Sequence, residues 1–503
     1  MERSELVRLL GQRLSVGFEG YEVPPEFRQL VHEYKIGNVI LFRRNVRDRE
    51  QLTRLCVELR HIISVETGYQ PFIMLDEESG SVSRLSHIAC PTPSAMAIGT
   101  TGDPENARAI GRLIGEELRS VGVNFNLAPV LDVMTNPLNQ LIGIRSFGTT
   151  PEKAAEMGVA YMEGLQSTGV FACGKHFPGH GDTSVDSHIG LPVIERDQER
   201  IRAVELVPFR AAIDRGIRGI MSAHVIFPAF EPERKPATVS RNVMTGLLRE
   251  ELGFRGIILS DGMEMQAIMD LYGIENGVFR ALSAGVDICL VCHSPRQAHD
   301  AMEYCLSACA DGLMDEDELL THYGRILLSK RDLSPDFPRL DTDTFGSEAQ
   351  RALARRVMDQ AVQPLHLPDG SLPLPSADAL FIGAPARAQS LASDAVVLNA
   401  GKRLAEAVGA PFIEDFRPEK PRLLAHAARG GTVVSVMTNN DAALEERIAL
   451  TNELAEAGGQ VLAIAMTTPF LLSRVSDRCA KVAVYQYDAF GLESLARLLS
   501  VKL

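Results

Sequence analysis

Ile257-Ile-Leu-Ser-Asp-Gly-Met-Glu-Met runs from an apolar, β-branched stretch straight into a carboxylate and a glycine. The apolar part reads as a short strand and Met263–Leu271 as the helix after it. A second apolar run, Val286–Val291, follows. This strand–helix–strand unit recurs upstream. Strand-like runs are Leu14–Phe18, Asn38–Phe42, Phe72–Leu75, Val123–Leu127, Val170–Cys173, Gly219–Ala223, Ile257–Ser260 and Val286–Val291. Helical periodicity lies between most of them, in Arg47–Ser64, in Pro104–Val121 (opened by Asp103 as N-cap) and in Asp197–Arg215. Eight such units in about 300 residues is the count of an α/β fold closed as a (β/α)8 TIM-type barrel. A doubly wound sheet is the alternative, but so many units in one domain favour closure.

Near Arg331–Ser347 the pattern breaks into prolines and acidic residues without period, which reads as a linker. A helix, Glu348–Val362, and a second α/β pattern follow. Its strand candidates are Ala379–Ile382, Ala395–Leu398, Thr432–Met437, Val461–Ala465 and Val482–Tyr485, with helices over Asp441–Ala457 and Leu492–Leu499. The expected organisation is a barrel over residues 1–335, a linker over 336–350 and a smaller three-layer α/β domain over 351–503. No Gly-x-Gly-x-x-Gly or P-loop marks that second domain, so no nucleotide cofactor is expected.

The 503 residues are 45% hydrophobic and 23% charged, an ordinary globular composition, with a net charge of −14. A nucleic-acid partner is not expected, because phosphate neutralisation needs a surplus of Lys and Arg. No apolar run is long enough to span a bilayer, and the N-terminus lacks the apolar core of a secretory signal. The eight cysteines are scattered through apolar runs and read as reduced thiols of a cytoplasmic protein. Cys289-Leu-Val-Cys292-His293 matches a haem-attachment pattern in form, but it lies in a strand and reads as core.

In a barrel, catalytic groups follow the C-terminal ends of the strands. Strand three ends in Asp76-Glu77-Glu78, strand four is followed by Asp132, and strand five ends in Lys175-His176. Strand six ends in His224 and strand seven in Asp261. The densest stretch, Lys175 to His188, interleaves three His, two Asp and a Lys with Pro178, Gly179 and Gly181, which forbid a helix and argue for a loop over the rim. Two readings compete there. His176, His180, Asp182 and His188 suit a divalent metal by residue type, although Pro-Gly denies them a shared helix face. In the other reading Asp186 orients His188, making it a general acid/base near neutral pH, and no metal is needed. Asp261, directly after a strand, is placed as a nucleophile must be; the structural alternative is a helix N-cap.

At these residues the chain resembles glycoside hydrolase family 3, in its β-N-acetylhexosaminidase branch. The matching stretches are Phe18-Glu-Gly-Tyr-Glu, Gly37-Asn-Val-Ile-Leu-Phe-Arg-Arg-Asn, Leu75-Asp-Glu-Glu-Ser-Gly, Asn126-Leu-Ala-Pro-Val-Leu-Asp-Val and Ile144-Arg-Ser-Phe-Gly. The most specific are Gly174-Lys-His-Phe-Pro-Gly-His-Gly-Asp-Thr-Ser-Val-Asp-Ser-His and Ser260-Asp-Gly-Met-Glu-Met. The likeness spans about residues 14–330. It implies a retaining mechanism in which Asp261 attacks the anomeric carbon and His188, oriented by Asp186, is the acid/base. A His in place of the usual second carboxylate repels an anionic acceptor less, so phosphorolysis stands beside hydrolysis. By the same resemblance Asp76, Arg145, Lys175 and His176 would bind sugar hydroxyls, with Asp132 and His224 lining the pocket. The implied substrate is a small glycoside or cell-wall fragment, which suggests a part in peptidoglycan turnover.

The family's Asp-Gln-Glu-Gly-Gly-Arg is replaced by Asp76-Glu77-Glu78-Ser79-Gly80-Ser81, so the rim is expected to lose a cation and gain an anion. Other readings are a family-3 β-glucosidase, whose branch usually lacks the Gly-Asp-Thr…Asp-Ser-His loop, a metal-dependent barrel hydrolase, and an inactive sugar-binding protein. The chain has no Trp, so the pocket is expected to grip its sugar mainly through hydrogen bonds.

Overall fold

A computed structural model of the chain describes residues 1–183, 190–333, 344–387 and 397–503. Among the described residues, eight parallel strands close a barrel: β1 Leu14–Val16, β2 Asn38–Leu41, β3 Phe72–Leu75, β4 Phe125–Asn126, β5 Phe171–Phe177, β6 Gly219–Ser222, β7 Ile257–Gly262 and β8 Ile288–Val291. Each pairs with its sequence neighbours and β8 closes on β1, with Cys289 beside Leu14. The expected strands are all present. β5 and β7 run beyond their apolar cores to include Lys175, His176 and Asp261, with Lys175 and His176 at a register shift against β6.

The inside of the barrel is a packed core. The rings of Phe72, Phe125 and Phe171 meet at 5.2–5.7 Å, with Met74, Leu259 and Leu290 in the same cluster. At its N-terminal mouth Lys330 is a plug. Its Nζ donates to Gln12 Oε1 (2.6 Å) and Gly37 O (2.8 Å) and lies 5.4 Å from the Phe72 ring. Burial pushes its ammonium down to about 7.

The helix Pro104–Val121 starts where expected, with Asp103 accepting from Glu105 N. Two expected helices are interrupted. Asp197–Arg215 is split into Gln198–Ala203 and Leu206–Asp214, because Pro208 cannot donate the bond back to Val204. The helix after Asp261 begins at Gln266 with Met265 as N-cap, so Asp261 is not its cap, and Gly273 (φ 68°) breaks it midway.

The second sheet has the order β9-β14-β13-β12-β10-β11, built from β9 Pro364–His366, β10 Leu380–Gly383, β11 Phe412–Ile413, β12 Thr432–Met437, β13 Gln460–Ala465 and β14 Ala480–Ala483. All pairs are parallel except the edge pair of β9 with β14. Helices Ala400–Val408, Phe416–Ala427, Leu444–Glu456 and Ala489–Leu498 accompany the sheet. Of the expected linker, 336–343 lies outside the described residues, as does 395–396 of the expected strand Ala395–Leu398; Val397–Leu398 pairs instead antiparallel with Ala386–Arg387. The two parts are hydrogen-bonded together. Ser94 N and Oγ donate to Gln486 Oε1 (2.9 Å) and Tyr485 O (2.7 Å), and Asn106 joins Gln360 and Arg356 on the helix Glu348–Ala361. Among the described residues no helix is long and apolar enough to cross a membrane.

A buried charge cluster braces the barrel below the rim. Asp287 accepts from Ile258 N (2.8 Å), Arg325 (2.5 Å), His322 (2.6 Å) and Arg249. Burial opposes its charge, but the Arg249 and Arg325 guanidiniums and His322 outweigh that and hold it far below the usual carboxylate range. Removing one partner of such a cluster leaves buried charges uncompensated. Asp287→Ala is therefore expected to cost about 3–5 kcal/mol of unfolding free energy, measured as a lowered urea midpoint.

Candidate active site

A cavity of about 660 Å³ opens at the C-terminal ends of the strands. Asp76, Glu78, Arg145, Lys175, His176 and Asp261 line it, together with Arg43, Arg44, Arg84, His180 and His293. Three strand ends and the segment carrying Arg145 thus bring five of the expected residues, Asp76, Arg145, Lys175, His176 and Asp261, to one space.

A buried ion network organises its floor. Glu78 accepts from Arg145 in a two-pronged pair, Nε to Oε2 and Nη2 to Oε1, both at 2.7 Å. Lys175 Nζ reaches Glu78 Oε1 at 2.6 Å and Asp76 Oδ1 at 2.7 Å, and Arg84 lies 3.4 Å from Asp76 Oδ2. Desolvation would raise the Glu78 carboxyl, but the charges of Arg145 and Lys175 win and hold it well below the ordinary range. Burial would likewise depress Lys175, yet Asp76 and Glu78 keep it raised. Glu78 was read at the end of strand three but given no role in the site; it stands beyond β3, in the hairpin of Glu77–Ser79 with Val82–Ser83. Its spacing of two from Asp76 was the available signal, since alternate residues of an extended chain share a face.

His176 is fixed from behind. Its Nδ1–H donates to Asp132 Oδ2 (2.7 Å), while Nε2 stands 3.5 Å from Arg145 Nη2. Asp132 is fully buried and also accepts from His180 N (2.6 Å) and His176 N (3.2 Å). Burial raises its carboxyl, but His176 and His180 more than offset this and lower it. Asp132 was expected to line the pocket; it stands behind the wall instead and orients His176. The same correction applies to His224. It is fully buried, with Nε2–H donating to Gly262 O (2.9 Å) and Nδ1 against Thr238 Oγ1 (2.8 Å). It steadies the peptide that follows Asp261.

Asp261 is partly exposed to the cavity, and its Oδ1 accepts from Gly262 N (2.8 Å). The neighbouring strand end is shaped by Glu264, which accepts from Cys292 N and His293 N at 2.9 Å and so places His293 on the rim. Glu264 lay inside a quoted motif, but its partners are backbone groups of another strand. Among the described residues the one phenyl ring lining the cavity is that of Phe42, which carries Arg44 over it at 4.4 Å and His293 beside it at 5.3 Å.

Asp186 and His188 lie outside the described residues, within 184–189. The described residues before them are not a loose loop: His180 is buried, and a Cβ on Gly181 would come within 1.8 Å of Val133 O. Of the candidate metal ligands, His188 lies outside the described residues and the other three each have a partner of their own. His176 is held by Asp132, His180 Nδ1 meets Thr183 Oγ1 (2.8 Å), and Asp182 pairs with Arg196 (2.6 Å). The expected change of rim charge is also corrected. Glu77 is buried and accepts from Leu85 N (3.1 Å) away from the cavity, and Arg84 supplies a cation beside Asp76.

The chain from 8 to 328 matches the family model of the glycosyl hydrolase family 3 N terminal domain. The chain belongs to glycosyl hydrolase family 3. It is a glycosidase, and its similarity within the family is to hexosaminidases. It is 33% identical over 407 residues to β-hexosaminidase A of Pseudoalteromonas piscicida, covering 73% of this chain and 68% of that one. A solved family-3 β-N-acetylglucosaminidase from Paenibacillus sp. str. FPU-7 superposes with a TM-score of 0.87 at 33% identity, over 98% of this chain and 96% of the other. NagZ from Neisseria gonorrhoeae, solved in complex with N-trifluoroacetyl-D-glucosamine, matches at TM-score 0.56 and 28% identity over 69% of this chain and 98% of its own.

Two outcomes follow for this family-3 site. Glu78→Gln removes the charge that compensates Arg145 and Lys175, so unfolding free energy should fall by about 3–5 kcal/mol in urea titration, and KM for the glycoside should rise. His180 is buried beside His176, which lowers its imidazole to about 4. The unfolded chain therefore binds a proton between pH 6.5 and 4 that the folded state refuses. Stability present above pH 6.5 is lost as pH falls through this window, by up to about 3 kcal/mol. Thermal unfolding from pH 7 to 4.5 should show this slope, and His180→Asn should flatten it.

Proposed function

We propose that this family-3 enzyme is a retaining β-N-acetylhexosaminidase that removes terminal β-linked N-acetylglucosamine. Asp261 attacks the anomeric carbon and forms a glycosyl-enzyme. His188, oriented by Asp186, protonates the leaving oxygen and then deprotonates the incoming water. Asp76, Arg145, Lys175 and His176 bind the sugar's hydroxyls, and Asp132 and His224 act through His176 and the Asp261 turn. The observation that carries this reading is Asp261 at the end of β7, lining the same cavity as the Glu78-centred ion network. The printed names of the similar proteins support the choice of sugar.

We further propose that the enzyme works in the cytoplasm, on small fragments released in peptidoglycan turnover. The eight cysteines are all free thiols, seven of them buried, which suits a reducing compartment.

Release of 4-nitrophenol from its β-N-acetylglucosaminide tests the assignment. Asp261→Ala is expected to lower kcat by about 10⁴-fold or more; unaffected release would remove Asp261 as nucleophile. Inorganic phosphate should leave the rate unchanged and the product should be the free sugar. Accumulation of a sugar 1-phosphate would make the enzyme a phosphorylase instead.

A further inference from the structure

The backbone ladder between β3 and β4 ends at Leu75 beside Asn126, where Leu127 N donates to Leu75 O (3.0 Å). The carboxylates that line the cavity begin one residue later, and there a side chain takes over from the strand. Asn126 Oδ1 accepts from Glu77 N and Asn126 Nδ2 donates to Glu77 O, both at 2.9 Å. A carboxamide offers the same donor and acceptor as a peptide group, so Asn126 pairs with Glu77 as a further strand residue would. Tyr161, on the helix Pro151–Gln166, adds a second donor to Glu77 O (3.2 Å). Asn126 and Tyr161 are both fully buried.

This grip falls on the one residue between Asp76 and Glu78. Alternate residues of an extended chain share a face. Asp76 and Glu78 line the cavity, while Glu77 sends its carboxylate the other way, to Leu85 N (3.1 Å). With both backbone polar groups of Glu77 held, the segment cannot turn about its axis without breaking buried hydrogen bonds. Lys175 Nζ, 2.7 Å from Asp76 Oδ1 and 2.6 Å from Glu78 Oε1, therefore meets the two carboxylates at a fixed spacing.

The hairpin has a reason to move. Ser79, next to Glu78, has φ 93°, a conformation that a residue with a Cβ rarely adopts. Its Oγ is buried without a hydrogen-bond partner among the described residues. Both features raise the energy of the hairpin as it stands, and the clamp on Glu77, two residues away, opposes its relaxation.

We propose that Asn126, seconded by Tyr161, is a positioning residue for sugar recognition. It holds Asp76 and Glu78, against the strain at Ser79, at the spacing from which Asp76 and Lys175 select the hydroxyls of the terminal sugar. This rests on the β-N-acetylhexosaminidase reading of the cavity, in which Asp76 and Lys175 bind those hydroxyls.

The test reads discrimination between substrates. kcat/KM is measured on 4-nitrophenyl β-N-acetylglucosaminide and on its 3-deoxy, 4-deoxy and 6-deoxy forms. The wild type should cleave at least one deoxy form about 10²-fold or more less efficiently than the parent. Asn126→Ala should shrink that ratio roughly ten-fold, because a displaced Asp76 no longer distinguishes the hydroxyl. The ratio does not depend on the fraction of enzyme that is folded, so a merely structural role would leave it unchanged. Tyr161→Phe removes one hydroxyl and keeps the ring; it should shift the ratio the same way by less, and it carries the test if Asn126→Ala does not fold. Adding Ser79→Gly to either variant should recover part of the ratio, because glycine adopts the positive φ without strain. A wild-type ratio in both variants, or a wild type indifferent to all three deoxygenations, would overturn the positioning role while leaving the hexosaminidase reading intact. A lowered ratio that Ser79→Gly does not raise would overturn the part given to Ser79. A wild type that cleaves none of the four glycosides would overturn the hexosaminidase reading and the positioning role with it.

Discussion

One carboxylate, Glu78, sits against two cations, Arg145 and Lys175, in a place with almost no water. Either cation alone at that depth would be driven to leave or to lose its charge. Together with Asp76 they form a chain of alternating charge, Asp76–Lys175–Glu78–Arg145, that crosses from β3 to β5 and on to residue 145. The neighbouring wall of the rim leans on it. Arg145 brings its Nη2 to His176, and His176 is held from behind by Asp132. The donors that line the cavity are fixed before any ligand arrives, which is the condition for binding energy to be spent on the reaction rather than on ordering side chains.

Much of the barrel was legible in the sequence because its strands are uniformly buried. A strand covered on both faces is a run of apolar residues whatever its partners are, and eight such runs in order admit few topologies. Asp261 was legible for the same reason, as a charge placed abruptly after such a run. The roles of Asp132, His224 and Glu264 were not legible, since each acts on backbone groups of residues far away in the chain. A sequence shows that a buried polar residue needs a partner but not where the partner is. The second domain was read less fully. β9 begins with a proline at a sheet edge and β11 has two residues, while the helix Phe416–Ala427 holds Pro421 inside it. Elements this short or this irregular leave no period to count.

The departure at Asp76–Ser81 shows why composition alone misjudges a site. Counting residues, the stretch loses an arginine and gains a glutamate. In three dimensions Glu77 turns inward to a backbone amide and Arg84 takes up a position beside Asp76, so the cavity keeps its cation. Charge at a site is set by direction as much as by number.

The central claim is that Asp261 becomes covalently bound to the sugar. A fluorinated β-N-acetylglucosaminide with a good leaving group slows the second step and lets that species accumulate. Peptide mapping by mass spectrometry should then find one glycosyl group per chain, on the peptide containing Asp261, at its carboxylate. A label on Asp76 or Glu78, or turnover without any adduct together with a product of inverted configuration, would contradict the account.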